Sequence, residues 1–249
     1  MCDLFRHQPG FTVKGIRMNS YLEEVKATAL AEAQKTYMVK VYGWMVGGLM
    51  ATGLVGGFVA SDASMIQSML DYFWFFIITE FALVFALSAF IHKMSVPVAM
   101  LSFIGYSVLN GITLSAVLLA YDEAAVMNAF LTTSGTFAAM SVYGMVTKKD
   151  LSSWGSFFFM GLIGIIIASI VNIFLASSAL SFAISLIGVF VFIGLTAYDT
   201  QKIKESAELE LQGSDMAMKG AILGALTLYL DFINLFLFIL RLFGGSNDD

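Results

Sequence analysis

Seven apolar segments, at 37–60, 72–91, 96–120, 124–146, 154–175, 178–198 and 218–243, take up most of the 249 residues. Each reaches the roughly 20 residues that a helix needs to cross a hydrocarbon core about 30 Å thick. In lipid the backbone amides of a spanning segment must pair within the protein, which for segments of this length means helices. Composition agrees: 59% of the residues are hydrophobic and only 12% charged, outside the range of soluble domains. The expected fold class is all-α, a polytopic membrane protein with seven transmembrane helices. Residues 1–35 are then a polar N-terminal tail, 36–244 the transmembrane domain and 245–249 a short external tail. Ser20 to Lys35 is rich in helix formers and predicts a helix leading into the membrane. The tail lacks the apolar stretch of a cleavable signal peptide. The fifth and sixth segments are parted only by Ala176, Ser177 and Ser178, a loop so short that the two helices must be antiparallel neighbours.

Charge gives the chain an orientation. With seven crossings, all but one of the 13 basic residues fall on the side of the N-terminus. They include Lys40, Lys93, Lys148, Lys149, Lys202, Lys204 and Lys219, and the exception is Arg241. The other side carries Asp62, Asp71, Asp122, Glu123, Asp248 and Asp249. The positive-inside rule then predicts a cytoplasmic N-terminus and an external C-terminus. Cys2 is the single cysteine, which excludes an internal disulfide. His7 and His92 are too far apart to suggest a metal pair, and no cofactor is expected. The chain has no HExxH, GxSxG or Gly-rich phosphate loop and no Cys/His cluster, so an enzyme is not expected. Without a soluble domain an ATP-driven pump is excluded too. The expected partners are the lipid bilayer and other membrane proteins; no nucleic acid is expected.

Three acids interrupt the apolar segments. Glu80 lies midway along the second, Asp199 at the end of the sixth and Asp231 midway along the seventh. From Lys219, Asp231 is about 18 Å along a helix, near the middle of the bilayer. An ionisable residue there is costly and reads first as a functional site facing protein or water. In the same segment Thr227, Asp231 and Asn234 stand at i, i+4 and i+7, one polar stripe on an apolar helix. The plain alternatives are a solvated helix-end Asp199 paired with Lys202, and neutral, structural carboxyls at Glu80 and Asp231. Asn110, Thr113 and Asn172 read as uncharged helix-bridging groups. The glycines of the first segment (Gly47, Gly48, Gly53, Gly56, Gly57) and Gly161 and Gly164 permit close helix contact.

The motifs Ala197–Lys204 (AYDTQKIK) and Leu226–Gly244 (LTLYLDFINLFLFILRLFG) resemble the last two helices of the Bax inhibitor-1 family, and its bacterial inner-membrane branch in particular. Tyr37–Gly48 (YMVKVYGWMVGG), Glu80 in ITEFALVFALSA, Gly111 with Thr113 and Leu114, and Tyr143–Leu151 (YGMVTKKDL) resemble its earlier segments in order, so the likeness covers roughly 36–244. It implies six helices around a central C-terminal seventh, in a bacterial inner membrane. It also implies a pH-sensitive calcium leak, with Asp199 and Asp231 sharing a proton as the gate and, when deprotonated, offering hard oxygen ligands to calcium. Glu80 becomes a further carboxylate on the ion pathway, with Thr227 and Asn234 as supporting polar groups. Some family members carry a latch arginine at the end of the second helix. Here the sequence reads Phe90-Ile91-His92-Lys93, so His92 and Lys93 are the candidate latch residues, although neither reproduces a bidentate guanidinium. Asp199 sits at the interface and Asp231 at mid-depth, so the two meet only if the sixth helix is set deeper or tilted. A different reading is a non-conducting membrane adaptor that modulates other membrane proteins, such as a protease.

Overall fold

A computed structural model describes residues 10–211 and 213–244, with side chains from residue 21 onward apart from 211. The described residues form eight α-helices, two short 3-10 segments and no strand. They are α1 (Gly10–Ala60), α2 (Ala63–Asp71), α3 (Phe73–Phe90), α4 (Val96–Ala120), α5 (Glu123–Val146), α6 (Ser152–Leu175), α7 (Ser178–Glu205) and α8 (Ser214–Phe243). The protein is an all-α polytopic membrane protein. Six of these helices are long and apolar enough to cross a membrane. The exception among the seven expected spans is α5, whose 24 residues include Glu123, Asn128, three threonines and two serines. Length and composition alone therefore do not reach seven. The expected tail helix is present but is not a separate element, because α1 runs unbroken from Gly10 into the first apolar segment. The tail at 245–249 lies outside the described residues.

Helix ends follow local chemistry. At α2 the Asp62 side chain accepts from the amides of Ser64 and Met65, satisfying donors that a helix start leaves orphaned. The tight turn between α6 and α7 rests on Asn172. Its carbonyl accepts from the Ala176 amide, and its side-chain oxygen accepts from the Ser177 amide at 3.1 Å. Ala176 takes the left-handed conformation (φ 46°) that stops α6. Ser177 then caps α7 by accepting from the Leu180 amide.

The last helix is the hub. In its apolar window 72% of residues are buried, against 6% to 44% for the other candidate spans, and α8 packs on α1, α4, α5 and α7. Lipid-facing phenylalanines and isoleucines instead cover α3 and α6. The closest helix approaches use small residues: Gly56 faces the Gly111 carbonyl across α1 and α4, and Gly144 of α5 abuts Ala197 of α7. Charge separates by end. Near the α5–α6 loop, Lys204 donates to the Met145 carbonyl and Gln201 donates to the Lys149 carbonyl. At the other end Arg241 and Tyr121 line one cavity. In this frame α5 joins the two ends over about 36 Å, at 1.5 Å per residue.

Candidate functional site

Asp231 and Asp199 meet. Asp231 is buried in α8 with 4% of its surface exposed, and Asp199 is half-buried on α7. Across α7 and α8 their carboxyl groups are close enough for each to act on the charge of the other. The helix α7 runs past the apolar segment to Glu205, so Asp199 stands six residues, about 9 Å, inside its end.

Both acids line a cavity of about 650 Å³ walled by α3, α6, α7 and α8, whose polar lining includes Thr227, Asn234, Ser156 and Lys202. The stripe of Thr227, Asp231 and Asn234 thus faces a single space. Neither neighbour serves Asp231, because the Thr227 hydroxyl donates to the Leu223 carbonyl at 3.1 Å and the Asn234 amide to the Leu230 carbonyl at 2.8 Å. Asp231 Oδ2 is left buried with no donor from the described residues. A buried polar atom without a partner is expensive, and this one is placed to meet a proton, a water or a cation. The described residues gather no cluster of three or more His, Cys, Asp or Glu side chains, so the oxygen donors at this position are the two carboxyls with Thr227 and Asn234 nearby.

Glu80 occupies different ground. It faces α4, where Thr113 donates to Oε1 at 2.7 Å and the Asn110 amide to Oε2 at 3.4 Å. Asn110 Oδ1 accepts from the Tyr229 hydroxyl at 2.9 Å, and that hydroxyl lies 2.6 Å from Thr52 Oγ1. A hydrogen-bonded chain therefore runs from α1 through the central helix to α4 and α3. Tyr229 and Asp231 are two residues apart and so point to nearly opposite sides of α8. Glu80 also borders a cavity of about 450 Å³ with Arg241, separate from that of the aspartate pair. Asn110 and Thr113 are helix-bridging groups, as expected from the sequence, whereas Thr52 and Tyr229 are not among the expected ones. The i, i+3 spacing of Asn110 and Thr113 at mid-depth was the available signal.

The residues in the latch position divide. His92 lines a third cavity together with Asp199 and Lys202, whereas the Lys93 ammonium sits over the Phe90 ring at 5.8 Å. Among the described residues neither forms an ion pair with Asp199, and the cation whose charge acts on that carboxyl is Lys202.

Residues 34–248 match the sequence profile of the family described as inhibitor of apoptosis-promoting Bax1. The chain belongs to the Bax inhibitor-1 family. Inner membrane protein YbhL of Escherichia coli K12 is 49% identical over 215 residues, covering 85% of this chain and 92% of that protein. A protein of Deinococcus radiodurans is 46% identical over 214 residues, covering 86% and 92%. One of Rickettsia prowazekii is 44% identical over 220 residues, covering 87% and 92%. The matched region contains both aspartates, Glu80 and the whole hydrogen-bonded chain from Thr52 to Thr113. This Bax inhibitor-1 family member thus carries its polar groups on two opposite faces of one buried helix.

Proposed function

We propose that the chain is a pH-sensitive calcium leak of the bacterial inner membrane, with seven crossings, a cytoplasmic N-terminus and an external C-terminus. The observation that carries this reading is the carboxyl pair itself: Asp199 and Asp231 line the wall of one cavity, and one buried Asp231 oxygen has no donor. With one shared proton the pair is a compact hydrogen-bonded clasp between α7 and the central helix. Loss of that proton puts two negative charges in contact, and like charges so close in a poorly solvating site repel strongly. Repulsion parts α7 from α8, and the freed carboxylates are hard oxygen ligands of the type calcium takes. Glu80, in the cavity that also holds Arg241, supplies a further carboxylate toward the opposite end. Calcium is the permeant ion, with no resident cofactor and no catalytic role for any residue. The inner-membrane assignment draws on the printed name of the Escherichia coli relative.

The test is calcium flux into liposomes containing the purified protein, followed across pH. Asp199→Asn and Asp231→Asn should each flatten the pH dependence. The double substitution should add little to either, since groups acting as one unit are not additive. An intact pH profile in Asp199→Asn would sink the shared-proton gate. A non-conducting adaptor would add no calcium permeability at any pH.

A further inference from the structure

Three basic side chains from three separate elements converge at the basic end of the bundle. His92 belongs to the 3-10 turn after α3, Lys202 to the last turn of α7 and Lys219 to the second turn of α8. They line a cavity of about 210 Å³ together with Tyr37, Ser206 and Asp199. Among the described residues none of the three forms an ion pair with a carboxylate. Lys40, by contrast, is matched by Glu210 at 2.8 Å. The one acid on the cavity wall, Asp199, sets a single carboxyl against two ammonium groups.

We propose that this cavity binds a phosphate oxyanion, supplied by the headgroup of an anionic lipid or by free phosphate. Two ammonium groups give the charge, and the His92 imidazole and the Tyr37 hydroxyl are the further donors at hand. At about 30 Å³ per water, the space holds about seven waters, enough for a phosphate group that keeps part of its hydration. The position between membrane helices also fits a headgroup, because basic pockets of that kind bind acidic lipid headgroups. Lys202 borders both this cavity and that of the aspartate pair, so a bound anion competes with Asp199 for its ammonium. The binding does not rest on the leak reading.

A solvated basic rim would be the plainer account, and Lys148 and Lys149 are such a rim: both are exposed and border none of these cavities. The test uses the full chain in detergent and native mass spectrometry, with phosphatidylglycerol as probe, phosphatidylcholine as the neutral arm and inorganic phosphate as competitor. The wild-type chain and a Lys148→Gln/Lys149→Gln control should retain phosphatidylglycerol equally and in preference to phosphatidylcholine. Lys202→Gln/Lys219→Gln should bind it about thirtyfold more weakly, in line with the contribution of two lysines near an anionic surface. Displacement by inorganic phosphate assigns the site to free phosphate, and its failure assigns it to the lipid headgroup. Equal retention by the control and the double variant would overturn the proposal. Should the double variant fold poorly, Lys219→Gln and His92→Gln singly carry the test, and no loss in either would overturn it as well.

Discussion

At the scale of single residues, the acids were legible from sequence because a carboxylate in an apolar run has few bland explanations. The hydroxyls and amides were not. Thr52 and Tyr229 look like ordinary helix residues, and their role exists only because α1, α4 and α8 bring them together. Tyr229 is fully buried, its ring edge-on to Phe103 and Tyr106 at 6.0 and 5.6 Å. Tyr229→Phe keeps that packing and removes the one hydroxyl joining Thr52 to Asn110. The expected result is a loss of about 1–3 kcal/mol, the usual penalty for stranding a buried polar group, read as a lowered melting temperature of the purified protein. An unchanged melt would mean that Asn110 holds Glu80 without help from α8.

Asp62 offers a pH test outside the membrane-spanning segments. Hydrogen bonds from the Ser64 hydroxyl and from the Ser64 and Met65 amides hold its carboxyl below the usual aspartate value. A lowered folded-state value means that the cap stabilises the start of α2 at pH above the ordinary aspartate range. That contribution is lost as pH falls through the lowered value. Amide exchange at Ser64 and Met65 should therefore show added protection at neutral pH that fades on acidification, and Asp62→Ala should show little protection at any pH.

At the scale of elements, the helix boundaries follow the apolar runs closely, because in lipid the backbone has few alternatives to a helix. The sequence does not show which face of a helix meets a neighbour when the apolar residues run all round it. The glycines of α1 make the point. A Cβ on Gly48 would fall 2.7 Å from the Phe103 ring and 2.9 Å from Ser107 Oγ, both fully buried residues, while one on Gly47 would meet nothing within 4 Å. Gly48→Ala should then cost about 1–3 kcal/mol by overpacking. Gly47→Ala should be neutral or gain up to about 1 kcal/mol from helix propensity. Thermal melts of the two variants in one detergent decide it, and similar melts would show that α1 and α4 can slide apart without penalty.

At the scale of the whole molecule, the central position of α8 came from family resemblance rather than from any property of its own sequence, and its burial agrees with that expectation. The number of crossings depends on α5, the one long helix too polar to qualify by composition. Its polar residues need not face lipid: Thr133 and Ser141 are buried, and α5 packs on α7 and α8. A helix whose polar groups are covered by neighbours can cross a bilayer at lower mean apolarity. If α5 crosses, the termini lie on opposite sides, and the concentration of lysines at one end puts that end in the cytoplasm. Alkaline phosphatase fused after Asp249 should then be active and a fluorescent protein at the same position dark. Fusions placed after Tyr121 and after Lys149 isolate α5: the first should behave like the C-terminal fusion and the second should reverse it. Identical behaviour at Tyr121 and Lys149 would leave α5 on one side of the membrane, six crossings in all, and both termini in the same compartment.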